Sequence, residues 1–139
     1  LADNKPVLSI SIVTPDGRVY EHQGDFLVVT TAIGPLGILP KHVPVIATLK
    51  VDEVRVKYGE EQDRIAVNGG FMEFSNDTAT IVADSAERQS EIDVKRAESA
   101  RQRAQETIKQ AKASHDTDSL ARAEVALRRA INRINVANH

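Results

Sequence analysis

An acid and four arginines in the last third of the chain have the spacing of a binding site. Asp93 and Arg96 stand three apart, so on a helix they share a face and can pair. Arg103 follows Arg96 by seven residues, two turns on and near the same face. Arg129 and Arg133 stand four apart in a second helical stretch. Guanidinium groups meet phosphate oxygens through a two-pronged fork of N–H donors. Asp93 could orient Arg96 or accept from a ribose or a base. The same residues also read as solvated helix charges, whose pairs contribute only about a few tenths of a kcal/mol each.

Other chemistries lack their residues. No Gly-x-x-x-x-Gly-Lys-Ser/Thr loop and no Gly-x-Gly-x-x-Gly turn occurs. There is no Cys, which removes thiolate catalysis and disulfide scaffolds. His22, His42, His115 and His139 show no zinc-ligand spacing, and His42 reads as a structural hydrogen-bonder. His115, Asp116 and Ser119 crowd together in a helix connection, whereas a hydrolytic triad gathers residues from distant elements. The basic C-terminal stretch has no aromatic residue to stack on bases, which argues against nucleic acid. A non-catalytic protein is expected.

The elements that position the arginines are helices. From about Ser90, the candidate N-cap, the period becomes helical, with Glu91 and Asp93 in the first turn. Val94, Ala97, Arg101, Ala104, Ile108 and Ala111 form a narrow stripe. Ser114–Asp118 interrupts it, and Asp116, Thr117 or Asp118 can cap the next helix. Leu120, Ala123, Leu127, Ala130 or Ile131, and Ile134 form the second stripe. So short a connection makes the two helices antiparallel neighbours. Their alanine seam buries little area, and such a hairpin holds weakly.

The front of the chain reads as strands. Residues 7–13 alternate apolar and small polar side chains. Pro15-Asp16-Gly17 turns the chain toward a return strand from Arg18, and Phe26–Thr31 reads as a strand buried on both faces. Ile33–Pro44 holds two Gly and three Pro, which exclude a regular element, yet it embeds large aliphatics. Such a loop is packed under the domain or presented to a partner. Val45–Leu49, Glu53–Tyr58, Arg64–Asn68, Phe71–Ser75 and Thr78–Ala83 follow as short strands. Gly69-Gly70 marks a turn, bulge or close backbone approach. Asn76-Asp77-Thr78 matches a glycosylation acceptor but reads as a turn. The expected fold is α+β: an N-terminal β-sandwich, residues 1–86, followed by a C-terminal antiparallel two-helix hairpin, residues 87–139.

Composition agrees. The 139 residues are 41% hydrophobic, 27% charged and 4% aromatic, so Val, Ile, Leu and Ala must build the core. No apolar run approaches the roughly 18 residues of a membrane span. The start, Leu1–Pro6, lacks the pattern of a signal peptide and lacks an initiator Met, so it reads as processed or trimmed. Residues 1–86 carry 7 basic against 12 acidic side chains, net −5; residues 87–139 carry 11 against 8, net +3. A basic arm on an acidic body suits an acidic protein surface or a nucleotide, or is a solvated helix pair.

In order and spacing, Val13–Gly17, Leu36–Pro44, Gly69–Glu73, Ala83-Asp84 and Ile92-Asp93-x-x-Arg96-Ala97 resemble the epsilon subunit of F-type ATP synthases over essentially the whole chain. The resemblance implies a non-catalytic central-stalk subunit at the cytoplasmic face of a bacterial membrane, without direct insertion into it. Its sandwich would dock on the gamma subunit and the ring of c subunits. Its hairpin would either fold or extend into the alpha–beta hexamer and inhibit ATP hydrolysis. Bacillus-like members bind ATP in the folded form. That site maps to Glu87, Ile92, Asp93, Arg96, Ala97, Arg103, Arg129 and Arg133, with ATP as an unhydrolysed regulatory ligand and Mg²⁺ as a candidate companion. Arg122, Arg128, Arg129 and Arg133 would make the inhibitory contact, and Pro35, Leu36 and Ile38 the ring contact. Pro35 replaces an acidic residue common in the family. The rival expectation is a free-standing adaptor whose basic helical arm binds an acidic protein.

Overall fold

The computed structural model describes residues 5–139, so the expectation for residues 1–4 of the N-terminus lies outside them. The chain divides into two compact units, Leu1–Gln89 and Ser90–His139. The division falls three residues beyond the expected one because Ala86–Arg88 is a strand, not the start of the helical unit.

The first unit contains β1 (Leu8–Thr14), β2 (Gly17–Gly24), β3 (Phe26–Thr31), β4 (Gly34–Ile38), β5 (Val45–Tyr58), β6 (Glu61–Ser75), β7 (Thr78–Ala83) and β8 (Ala86–Arg88). They form one hydrogen-bonded network in the order β2-β1-β7-β6-β5-β3-β4, with β8 on β6. All pairs are antiparallel except β1 with β7. The two long strands hold it together. The C-terminal half of β6 pairs with β7, and its N-terminal half with β8. β5 follows β6 in one register throughout. The sequence expectation split each of these strands in two. At Gly69-Gly70 the chain neither turns nor gains a residue. Both glycines have positive φ, and a Cβ on Gly70 would sit 2.1 Å from the Val82 carbonyl oxygen. Gly70 is there for close backbone approach, and Gly69 for its left-handed torsion.

The core is aliphatic, as the composition requires. Leu8, Ile10 and Ile12 of β1, Leu27 and Val29 of β3, Val54 and Val56 of β5, Ile65 and Met72 of β6, and Ile81 of β7 are buried. β3 alternates buried and half-buried residues, so only one of its faces lies in the core. Tyr20 is buried as well. Its hydroxyl donates to Asp63 Oδ2 (2.7 Å) while the Tyr58 hydroxyl donates to Oδ1 (3.0 Å). Burial, then the bond to Asp63, pushes the Tyr20 phenol far above its ordinary range, so it stays a neutral donor. Arg88 completes this corner: its guanidinium lies 5.3 Å from the Tyr20 ring centroid and its Nε donates to the Val19 carbonyl.

Gly34–Ile38 contradicts the expectation that Gly and Pro exclude a regular element there. Pro35 is tolerated because β4 is the edge strand. β3 and β4 join through a two-residue turn, Ala32-Ile33, after which Gly34 has φ 130°. Asn76 and Asp77, both at positive φ, make the turn between β6 and β7. His42 is structural, with its ring edge-on to Phe74 and Nδ1 at the Val43 carbonyl.

The second unit is the expected hairpin: α1 (Val94–Ala113) and α2 (Thr117–Ala137). A short 3-10 turn, Gln89–Glu91, precedes it. Ser90 therefore does not cap α1; Asp93 does, at an extended backbone angle of ψ 101°. Asp116 caps α2. Of the expected α1 stripe only Ala97, Ala104 and Ala111 are buried. In α2 Ala123, Ala130 and Ile134 are buried, while Ile131 is 40% exposed, so the seam runs through Ala130.

Candidate functional site

Asp93 and Arg96 come together, but not as a side-chain ion pair. Asp93 Oδ1 accepts from the Arg96 backbone N–H at 3.1 Å, and the Asp93 carbonyl accepts from Ala97 N–H. The acid satisfies one of the helix's orphan donors. The Arg96 guanidinium projects from an exposed position.

Arg103 lines a cleft between α1 and α2 with a volume of about 460 Å³. Arg122 lines it from the other helix. Ala104 and Ala123 form its floor, and Thr107 and Ser119 contribute hydroxyls. The Thr107 hydroxyl donates to the Arg103 carbonyl (2.9 Å), and the Ser119 hydroxyl to Asp116 Oδ2 (2.8 Å). Two guanidinium groups over a floor of methyl groups suit an anion of phosphate type. The floor is shallow because alanine is the only buried residue type there.

The seam places the other site residues. Ala104 and Ala123 share the cleft. In antiparallel helices, stepping seven residues back to Ala97 and seven forward to Ala130 keeps the two levels matched, about 10 Å from the cleft. Arg129 and Arg133 flank Ala130 and are half-buried. They therefore belong to the level of Arg96 and Ala97. Half-buried Ile92 lies just before the cap. Arg128 is exposed on α2. Glu87 belongs to the other unit, on β8 opposite Ala66. Sequence spacing brought out Arg103 but did not pair it with Arg122.

The expected ring contact needs correction. Ile38 is 0% exposed and belongs to the core, and Leu36 packs partly against that core. On a strand the inward face alternates, so Leu36 and Ile38 point to one side. Pro35 remains exposed. The apolar surface lies elsewhere: Ile33 at the β3–β4 turn is 99% exposed and Ile46 76%. Both border an apolar recess of about 440 Å³. Sequence reading missed them because it did not recognise β4 as a strand, and so did not place Ile33 at a hairpin tip.

A sheet unit followed by a helical hairpin makes a two-module chain, with Arg103 and Arg122 on one cleft of the second module. Residues 7–89 match the family model of the ATP synthase delta/epsilon chain β-sandwich domain, and residues 90–138 its long α-helix domain. The chain is 70% identical, over the full length of both proteins, to an ATP synthase epsilon chain of Levilactobacillus brevis. It is 64% identical to one of Pediococcus pentosaceus, again over all of both chains. A chain in the cryo-EM structure of the Euglena gracilis mitochondrial ATP synthase OSCP/F1/c-ring shares the fold, with a TM-score of 0.79 at 20% identity. That match covers 99% of this chain and 86% of the other. The chain belongs to the ATP synthase delta/epsilon family, as an epsilon subunit of the F-type enzyme. No helix among the described residues is long and apolar enough to cross a membrane.

Proposed function

We propose that the helical hairpin is a nucleotide-sensitive brake on ATP hydrolysis by the parent enzyme. The observation that carries this reading is the cleft in which Arg103 and Arg122 lie across an alanine floor. From that cleft to the level of Arg96, Arg129 and Arg133 the arginines form a line along the seam. An elongated anion such as ATP would lie along this line, its phosphates on guanidinium groups and its ribose or base toward Asp93, Ile92 and Ala97. Asp93 keeps a second carboxylate oxygen for such a contact while Oδ1 caps the helix. Mg²⁺ would arrive with the phosphates. The site has cations to hold an anion and no evident base to activate water, so the ligand is bound and not turned over.

Ligand that binds only the closed hairpin stabilises it by RT ln(1 + [L]/Kd), about 2.7 kcal/mol at a hundredfold excess. A seam of alanines leaves the two states close enough for that to decide between them. With the hairpin open, Arg122, Arg128, Arg129 and Arg133 face acidic segments of the catalytic beta subunits within the alpha–beta hexamer. Arg122, Arg129 and Arg133 then serve either the ligand or the inhibitory contact, and the two uses compete.

The sandwich is the docking body. It takes the gamma subunit and the c ring as partners, and keeps the chain peripheral at the cytoplasmic face of the cell membrane. Exposed Ile33, Ile46 and Pro35 are its apolar contact surface. Isothermal titration calorimetry with ATP tests the brake. Arg103→Ala is expected to weaken binding by about tenfold or more, a charge-assisted contact being worth roughly 1.5–3 kcal/mol. Unchanged affinity removes the cleft from the site. The free-standing adaptor is not favoured, because the family match spans both units.

A further inference from the structure

The connection between α1 and α2 is a closed hydrogen-bonded cap resting on one unusual torsion. Asp116 N–H donates to the Ala111 carbonyl (2.9 Å) and His115 N–H to the Lys112 carbonyl (3.4 Å). This is the paired 6→1 and 5→2 bonding of a Schellman cap, with Ser114 as C-cap and His115 as the left-handed residue that follows. His115 has φ 57°. Glycine usually holds this position. The hydrophobic contact that often accompanies such a cap is absent, since its outer partner here is Asp116. Immediately after it, Asp116 Oδ1 accepts from Ser119 N–H (3.1 Å) and starts α2. One helix is thus ended and the next begun within three residues, and the reversal of direction requires His115 to stay left-handed.

We propose that His115 is the torsional hinge that sets the ratio of open to closed hairpin; this rests on the two-state reading above. In the left-handed conformation α2 returns along α1. Moving His115 to the extended region breaks the bonds from Asp116 and His115 N–H and directs α2 away from α1, while the Asp116 cap keeps α2 helical. Histidine enters the left-handed region more readily than most side chains, though less readily than glycine. The position therefore holds the closed form without locking it. A β-branched residue would release the hinge, and Asn, which tolerates the left-handed region, would tighten it.

The chain has no Cys, so two labels can be placed cleanly on the full-length protein as Lys95→Cys and Asn135→Cys, both exposed. Single-molecule energy transfer then reads the open-to-closed ratio. His115→Ile is expected to raise it by about fivefold to thirtyfold, and His115→Asn to lower it, with helical circular dichroism unchanged. Ala123→Glu, which puts a charge in the seam, serves as an independent opener. If it separates the labels while the residue at 115 has no effect, the hinge is elsewhere and the two-state hairpin stands. If neither position moves the labels, no open state is within reach, and the hinge and the two-state reading both fall.

Discussion

The sandwich and the hairpin solve the same packing problem with different side chains. The sandwich buries Phe74, Met72 and a full set of Ile, Leu and Val to within a few per cent of complete exclusion. The hairpin seals its two helices chiefly with alanine, each contributing one methyl where an isoleucine contributes four apolar carbons. At about 0.8 kcal/mol per buried CH₂, the difference at every matched contact is a couple of kcal/mol. The first unit therefore buries more apolar surface at each contact than the second does. All five aromatic residues lie in the sandwich, so tyrosine fluorescence reports on that unit alone, and helical circular dichroism chiefly on the other.

The sharpest way to break the contrast is Phe74→Ala. It should lower sandwich stability by about 3–5 kcal/mol in denaturant titrations followed by tyrosine fluorescence. Tyr20→Phe comes next. It removes a buried donor from the Asp63 carboxylate, and an expected loss of about 1.5–3 kcal/mol should appear in the same titration. Asp93→Ala acts on the other unit. Losing the α1 cap should cost about 0.5–2 kcal/mol of hairpin stability, seen in the helical signal, with the tyrosine signal unmoved.

The smallest effect concerns acid. The Ser119 hydroxyl, and after it the Ser119 N–H, hold the Asp116 carboxyl below the ordinary carboxylate range. A depressed carboxylate stabilises the fold above its unfolded value, and that contribution is lost as pH falls through the folded value. The α2 cap should therefore be indifferent to pH between about 7 and 5. It should weaken only at pH below the ordinary carboxylate range, and Asp116→Asn should abolish that acid limb in the helical signal.

Residue pattern revealed most of this. Alternation marked β1, turn signals bounded β7, and apolar stripes at helical spacing marked both helices. It failed where two local rules conflicted. Gly and Pro at 34–37 argued against a strand, but at a sheet edge neither the missing Pro35 donor nor the glycines disrupt the ladder. At Gly69-Gly70 the turn and bulge readings failed and close backbone approach held, though a sequence does not show that the Val82 carbonyl is what excludes a side chain. Ser90 made a plausible cap until the 3-10 turn moved the helix start to Asp93. In the candidate site the arginines were legible individually. Which of them face each other was not, because the level of α2 against α1 is set by the cap at His115, a torsion that the side-chain pattern does not encode.

The unbroken course of β5 and β6 has a mechanical consequence. The two halves of the sandwich are joined by the same covalent strands and a single continuous ladder, so a twisting load applied to one half reaches the other through peptide bonds and hydrogen bonds in parallel. Sliding of one half over the other would require breaking that ladder. A body built this way resists twisting along the whole length of β5 and β6.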